Sequence, residues 1–412
     1  MRHTLRALRH RNYRLYFVGQ GVSLVGTWMQ TLAMSWLVYR LTRSTVLMGT
    51  VGFFSQIPSL VMAPLAGALA DRGNRLRKLI IIQALAMLQA FILSFLVLTG
   101  RIEVWHILLL GAFMGCITAF DIPTRQSFVI EMIEQREDLG NAIALNSSLV
   151  NGARLVGPSI AGIMIAIMGE GACFFLNGVS YLAVLGALLA MRMRPGELIS
   201  RRSRIFGEIK EGFTYAFRFS PIRSLLSLLA LMSLTAISYQ VLMPVFAGEV
   251  LQGGPNTLGF LMGFSGVGAL TGSVYLASRK NVRGLGRVIV TAALVFGFGV
   301  IAFSFSRHIW LSMLMMIFIG FGIMVQMAAC NTILQTIVDD DKRGRVMSLF
   351  TMAFMGTTPF GSLFAGWLAS KIGAPHTVMA AGICAISGSL FFAGKLDGLR
   401  ERVRTIYEAK GI

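Results

Sequence analysis

Residues 140–162 read GNAIALNSSLVNGARLVGPSIAG, and residues 344–366 read GRVMSLFTMAFMGTTPFGSLFAG. A shift of 204 positions overlays them without a gap. Gly140, Leu145, Gly152, Gly157, Ala161 and Gly162 then fall on Gly344, Leu349, Gly356, Gly361, Ala365 and Gly366. Each stretch lies in an apolar run long enough to cross about 30 Å of hydrocarbon as a helix. A weaker echo, at nearly the same shift, joins Leu69-Ala70-Asp71-Arg72 to Leu276-Ala277-Ser278-Arg279. Duplicated sets of membrane helices characterise proteins built as two bundles around a site near mid-membrane.

The rest of the chain agrees. Hydrophobic types make up 55% of the 412 residues and charged types only 13%. A soluble domain carries charge at about a quarter of its positions, so most of this chain does not face water. A soluble enzyme, a disordered chain and a disulfide-stapled domain are excluded. So is an outer-membrane barrel, whose strands would alternate polar and apolar over about 10 residues. Lipid cannot satisfy bare backbone groups, so each span must be a helix. The expected spans are 15–40, 45–69, 79–99, 104–121, 141–168, 172–191, 223–248, 257–278, 287–306, 309–331, 346–370 and 376–396. The fold class is all-α membrane protein, with twelve transmembrane helices in two pseudo-symmetric six-helix bundles.

The net charge of +19 could suggest a nucleic-acid partner. Its placement argues for a lipid bilayer instead. With the N-terminus inside, 31 of the 37 basic residues fall on inside segments, five on outside loops, and Arg154 within a span. That bias predicts cytoplasmic N- and C-termini. The basic segments then face anionic headgroups, and no nucleic acid is needed. The N-terminal apolar stretch is too long for a cleaved signal and reads as the first permanent span. The longest polar piece, 192–222, divides a first bundle, 1–191, from a second bundle with a cytoplasmic tail, 223–412. Part of it, Ile205–Phe219, reads as an amphipathic surface segment. Neither it nor the short outside loops can hold an extramembrane core, so any activity must be built from the helices.

Arg154 is the sharpest single residue, because a charge near the middle of a span is costly unless paired or wet. Ser147, Asn151 and Arg154 share one helical face. Arg154 either binds an anionic group or couples in a cavity, or is paired structurally to Asp121 or to backbone carbonyls. A second polar stripe, Gln20, Ser23, Thr27 and Gln30, runs along the first span and is expected to line the same cavity. Tyr239 and Gln326 are further candidates, with Trp28, Trp36, Phe53 and Phe54. A methionine-rich tenth span (Met313, Met315, Met316, Met324 and Met327) offers an adaptable apolar wall. Taken singly, each aromatic or methionine is better explained by lipid-facing or core packing than by ligand contact. Cys116, Cys173, Cys330 and Cys384 sit apart in different apolar runs and read as core residues. No phosphate-binding loop, metal-ligand spacing or nucleophile elbow occurs, so neither a cofactor nor an enzyme activity is expected.

The loop after span two, Gly67-Ala-Leu-Ala-Asp71-Arg72-Gly-Asn-Arg75-Leu-Arg-Lys78, resembles the loop motif of the major facilitator superfamily, G-x-L-a-D-r-x-G-R-[RK]. Asn74 and Leu76 depart from it. The resemblance implies a conformational latch of Gly67, Asp71, Arg72 and Arg75, with Asp121 the expected partner of Arg75. Gly67 is expected to permit close helix approach. The fifth span, Gly157-Pro158-Ser-Ile-Ala161-Gly162, resembles the antiporter motif G-P-x-x-G-G, with Ala161 for one glycine, although small-residue packing explains this spacing equally well. With Ala119–Ser127, Cys173–Asn177 and Arg343–Ser348, the whole chain is similar to the enterobactin-exporter-like and macrolide-efflux branch, the transmembrane secretion effectors.

That resemblance implies the major facilitator fold and export of small amphipathic molecules, siderophore- or drug-like, by alternating access and proton antiport. The proton gradient is then the energy source, and the setting is the bacterial inner membrane, with a monomer expected. A lysolipid or lipid flippase, or a non-transporting receptor on the same scaffold, are the competing expectations. No acid is clearly mid-membrane. Asp121 is the best proton-carrier candidate, and Glu249 is a second.

Overall fold

The structure, a computed structural model, describes residues 5–70, 73–192, 214–279, 281–339 and 342–409. In chain order the helices are α1 (Arg11–Thr42), α2 (Thr45–Ala70), α3 (Arg75–Leu98), α4 (Val104–Glu131), α5 (Leu139–Met168), α6 (Glu170–Leu189), α7 (Ser220–Val245), α8 (Pro255–Ala277), α9 (Leu285–Phe305), α10 (Ile309–Ile337), α11 (Arg343–Met355), α12 (Thr358–Ile372), α13 (Ala374–Gly394) and α14 (Leu396–Ala409). The eleventh span is thus two helices, α11 and α12, separated at Gly356-Thr357. Eleven spans among the described residues are long and apolar enough to cross a membrane by length and composition. The twelfth is α1, whose stretch is diluted by Gln20, Ser23 and Gln30. All three are buried, so α1 turns its polar groups toward other helices rather than lipid.

The chain divides into two compact units. One holds Met1–Arg43, Phe54–Arg202 and Gly253–Gly263; the other holds Ser44–Phe53, Ser203–Gln252 and Phe264–Ile412. In the first unit α1 packs on α5 and α6, and α3 on α4 and α6. A buried amide ladder ties four helices together. Asn177 Nδ2 donates to Gln30 Oε1 at 2.8 Å, Gln30 Nε2 to Gln89 Oε1 at 2.9 Å, and Gln89 Nε2 to the Leu110 carbonyl at 3.2 Å. Each amide in the chain satisfies the next, which is what makes such groups tolerable away from water. In the second unit α9 packs on α10 and α13, and α7 on α12 and α13. Its core holds two aromatic pairs, Phe246 with Phe303, ring centroids 4.7 Å apart, and Tyr239 with Phe296, 6.3 Å apart.

The internal repeat is visible in the backbone. α5 ends at Gly169, with φ 80° and ψ 174°, and α12 ends at Gly373, with φ 83° and ψ 157°. Both glycines take a conformation open essentially to glycine alone, and they stand 204 positions apart like the six identities above. The duplication therefore runs through the turn that follows each helix. Replacing either glycine by alanine is expected to lower stability by about 1–3 kcal/mol, the usual cost of a side chain in that region. Thermal unfolding of the purified protein measures it, and a variant as stable as wild type would contradict the shared backbone role.

Candidate functional site

The repeated glycines show what the duplicated sequence does. A side chain at Gly157 would meet the Trp28 Cβ of α1 at 2.6 Å and the Val25 carbonyl at 3.0 Å. One at its repeat partner Gly361 would meet Ile237 and Leu234 of α7. Gly162 packs on α8, where an added Cβ would lie 2.9 Å from the Gly259 Cα. Gly366 packs on α2 in the same way, 2.9 Å from the Gly49 Cα. The 204-residue register thus repeats two helix contacts, not only a set of letters. Pro158, Ala161 and Gly162 are all buried, and α5 runs through Pro158 without a break. The small residues after Arg154 serve close packing, as their spacing alone allowed.

α5 changes character along its length. On the face of Arg154, the positions nearer the C-terminus, Pro158, Ala161, Gly162 and Ile165, are buried. The positions nearer the N-terminus are not: Ser147 is exposed, and Asn151 and Arg154 are half-buried. A different face, carrying Val156, Ile160, Ile163 and Ile167, is exposed and wholly apolar. That second face suits lipid, and the polar one suits water. Arg154 stands at the step between the closed and open parts of the polar face. Its guanidinium lies over the Trp28 ring, 5.5 Å from the centroid. No carboxylate among the described residues pairs with it, so the expected alternative of an ion pair with Asp121 is not found.

Asp121 instead belongs to a cluster inside the first unit. Arg125 Nη2 lies 2.8 Å from Asp121 Oδ2, one helical turn along α4. Gln83 Nε2 of α3 donates to Asp121 Oδ1 at 2.9 Å. The Asp121 and Arg125 side chains keep 14% and 20% of their surface accessible, so the pair is shielded but reachable. The Gln83 Oε1 and Tyr16 Oη atoms, buried nearby, make no hydrogen bond of ordinary geometry. Arg75 pairs with Glu131, at the end of α4, rather than with Asp121. The expected Arg75–Asp121 pair is therefore corrected. Asp121 lies ten residues earlier on α4, about 15 Å back along the helix axis, and already has a cation one turn away.

Asp71 and Arg72 lie outside the described residues. A side chain at Gly67 would meet nothing within 4 Å among the described residues, so close approach does not explain that glycine. Asn74, the departure from the loop motif, caps α3 by accepting from the Arg77 N–H at 3.0 Å. Gln30 is committed to the amide ladder and Gln20 is 4% exposed, so neither lines a wet cavity. Tyr239 and Gln326 are likewise buried, at 1% and 0%. Thr27 is half-buried and donates to the Ser23 carbonyl at 2.9 Å. Polarity in an apolar run signals that a residue is not on lipid, but it does not separate a cavity from a ladder. The residues that sequence reading passed over are Arg125, Gln83 and Glu131. The four-residue step from Asp121 to Arg125 was the available signal.

Comparison with known proteins places the chain. The family model described as transmembrane secretion effector matches residues 3–405. The staphyloferrin A transporter of Staphylococcus aureus is 23% identical over 380 residues, covering 92% of this chain and 95% of that protein. The multidrug efflux pump Tap of Mycolicibacterium fortuitum is 24% identical, covering 88% of each. A bacterial homologue of the human lysosomal transporter Spinster, in an inward-facing occupied conformation, superposes with a TM-score of 0.71 at 14% identity. The alignment covers 96% of this chain and 97% of that one. The likeness extends to the whole fold.

Proposed function

The chain belongs to the transmembrane secretion effector family of the major facilitator superfamily, and from this we propose that it exports small amphipathic molecules from the cytoplasm by alternating access and proton antiport. That it is a membrane transporter and not an enzyme follows from the family. Export is supported by the relatives, one named a staphyloferrin A transporter and one a multidrug efflux pump. The single observation that carries the reading is the graded face of α5, polar and open on one side of Arg154, closed on the other. With cytoplasmic termini, as the basic residues predict, the open part faces the cytoplasm, where cargo would enter. We take residues 1–191 and 223–412 as the bundles that alternate, joined by the 192–222 segment.

Proton coupling is assigned to Asp121. Its carboxylate accepts from the Gln83 amide and is held by Arg125. The unpartnered Gln83 Oε1 gives the amide a second use. Turned over, it accepts the O–H of a protonated Asp121, so one side chain serves both protonation states. Neutralising Asp121 frees Arg125, and that change of charge pairing is the event available to drive a helix rearrangement.

Everted membrane vesicles, whose cytoplasmic face is turned to the medium, test both statements when a fluorescent amphipathic dye is added outside. Dye movement that follows an imposed proton gradient and stops when the gradient is collapsed is expected. Flux indifferent to the gradient would remove antiport. No gradient-driven or downhill flux of any dye would remove export. The loop latch has its own test. Asp71→Asn is expected to slow turnover at least about tenfold, the scale of one lost charge-assisted contact, with normal membrane insertion. An unchanged rate would dismiss the latch.

A further inference from the structure

We propose that Arg154, mounted on Trp28, receives an anionic group of the cargo, so that the cargo class is amphipathic anions such as carboxylates and sulfonates. The assignment of the anion to cargo rests on the exporter reading above; the anion site itself does not.

Several observations converge on this side chain. A guanidinium near the middle of a 30-residue membrane helix is retained only when paired or wet. No carboxylate among the described residues pairs with Arg154, whereas Asp121, Glu131, Asp138 and Glu170 each have a cation. Its neighbours on the accessible face, Ser147 and Asn151, are neutral. Among the described residues no carboxylate along that face balances the positive charge. The indole beneath holds the guanidinium through the ring face and leaves its N–H edges unspent. That is the arrangement in which a planar carboxylate or a sulfonate is bound bidentately.

The mounting is also enforced by packing. Gly157 lets α5 approach the Trp28 backbone, and any side chain there would displace the indole on which Arg154 rests. The repeat supplies an internal comparison. The positions 204 residues beyond Ser147, Asn151 and Arg154 are Thr351, Met355 and Thr358, which are exposed or half-buried and carry no charge. The face is duplicated and the cation is not. Its presence in one copy answers to something other than the fold.

Equilibrium binding of two matched probes to the purified full chain in an uncharged maltoside detergent tests the site. Dansylglycine carries a carboxylate, and dansylglycinamide replaces it with a neutral amide. Wild type is expected to bind the anion about tenfold more tightly, the scale of one charge-assisted contact. Arg154→Gln should abolish that preference while leaving affinity for the amide unchanged. Asn151→Asp places a carboxylate on the accessible face one turn away and should abolish it too, without touching the packed core. Wild type binding both probes equally, or either variant keeping the preference, overturns the proposal. Energised transport separates the two readings. A charge preference at equilibrium with no flux would sink export and keep the anion site. Flux of both probes with no charge preference would do the reverse.

Discussion

Asp121→Ala is expected to destabilise the protein by on the order of 3 kcal/mol and to abolish gradient-driven transport. The mutation leaves the Arg125 guanidinium without its carboxylate, and Gln83 without its acceptor, in a site where only about a fifth of the arginine is accessible. The figure stands at the lower end for broken buried pairs, because that accessible fraction allows some solvation. Arg125→Leu should cost a similar amount for the mirrored reason, an unpaired carboxylate. The informative variant carries both changes, Asp121→Leu with Arg125→Leu. Replacing a shielded ion pair by apolar side chains is often near neutral for stability. The double variant should therefore recover most of the thermal stability lost by either single one. It should not recover proton-driven flux, because the proposed proton carrier is gone. Unfolding temperatures in detergent and dye flux in proteoliposomes give the two readouts. A double variant that transports with a gradient would remove Asp121 from coupling. Single variants as stable as wild type would show the pair to be idle.

Much of this fold is legible in the sequence because the bilayer allows so few solutions. An apolar run of the right length must be a helix, and the asymmetry of Lys and Arg predicts its direction. The identities from Gly140 to Gly162 announced the repeat, and the glycines at 169 and 373 show that it continues through a turn. What was not legible is which partner a polar residue takes. Gln30 and Arg154 both read as polar groups in apolar runs. Gln30 is consumed by Asn177 and Gln89, residues 147 and 59 positions away, whereas Arg154 lies over an indole and, among the described residues, pairs with no carboxylate. Such pairings depend on rotation of one helix against another. A rotation of about 100° moves a side chain to the next residue's place on the helix face. The loop motif directed Arg75 to an acid at the end of α4. The acid expected was Asp121, where the estimated span ended, but α4 runs on to Glu131, ten residues further, which takes the pair.

Bulk added at Gly162 or Gly366 is expected to stop transport while leaving the chain folded. In the first unit Gly162 and Gly259 bring α5 and α8 to backbone contact, and an added Cβ would stand 2.9 Å from the Gly259 Cα. In the second, Gly366 and Gly49 do the same for α12 and α2. Real Cβ atoms do not approach backbone this closely, and backbone cannot give way as a flexible side-chain end can. Alanine must therefore part the helices by some tenths of an ångström, and leucine by more. Overpacking of this kind costs roughly 1–3 kcal/mol, enough to change the ratio of two transporter states about 5–150-fold without unfolding either. Gly162 lies beyond Arg154 on the closed part of α5, and Gly366 holds the repeat-related place on α12, so on the alternating-access proposal the loss of either contact is expected to favour the state in which that part is open. The reporter is Ser159, whose hydroxyl packs against Gly263 on the same seam. In a Cys384→Ala background, Ser159→Cys should react slowly with a membrane-impermeant maleimide added from outside. Adding Gly162→Leu should raise that rate at least fivefold. Gly366→Leu, on the repeat-related seam, should raise it as well if the two seams open together. An unchanged rate at Ser159→Cys in the Gly366→Leu variant would mean that the two contacts, though duplicated in sequence, open independently.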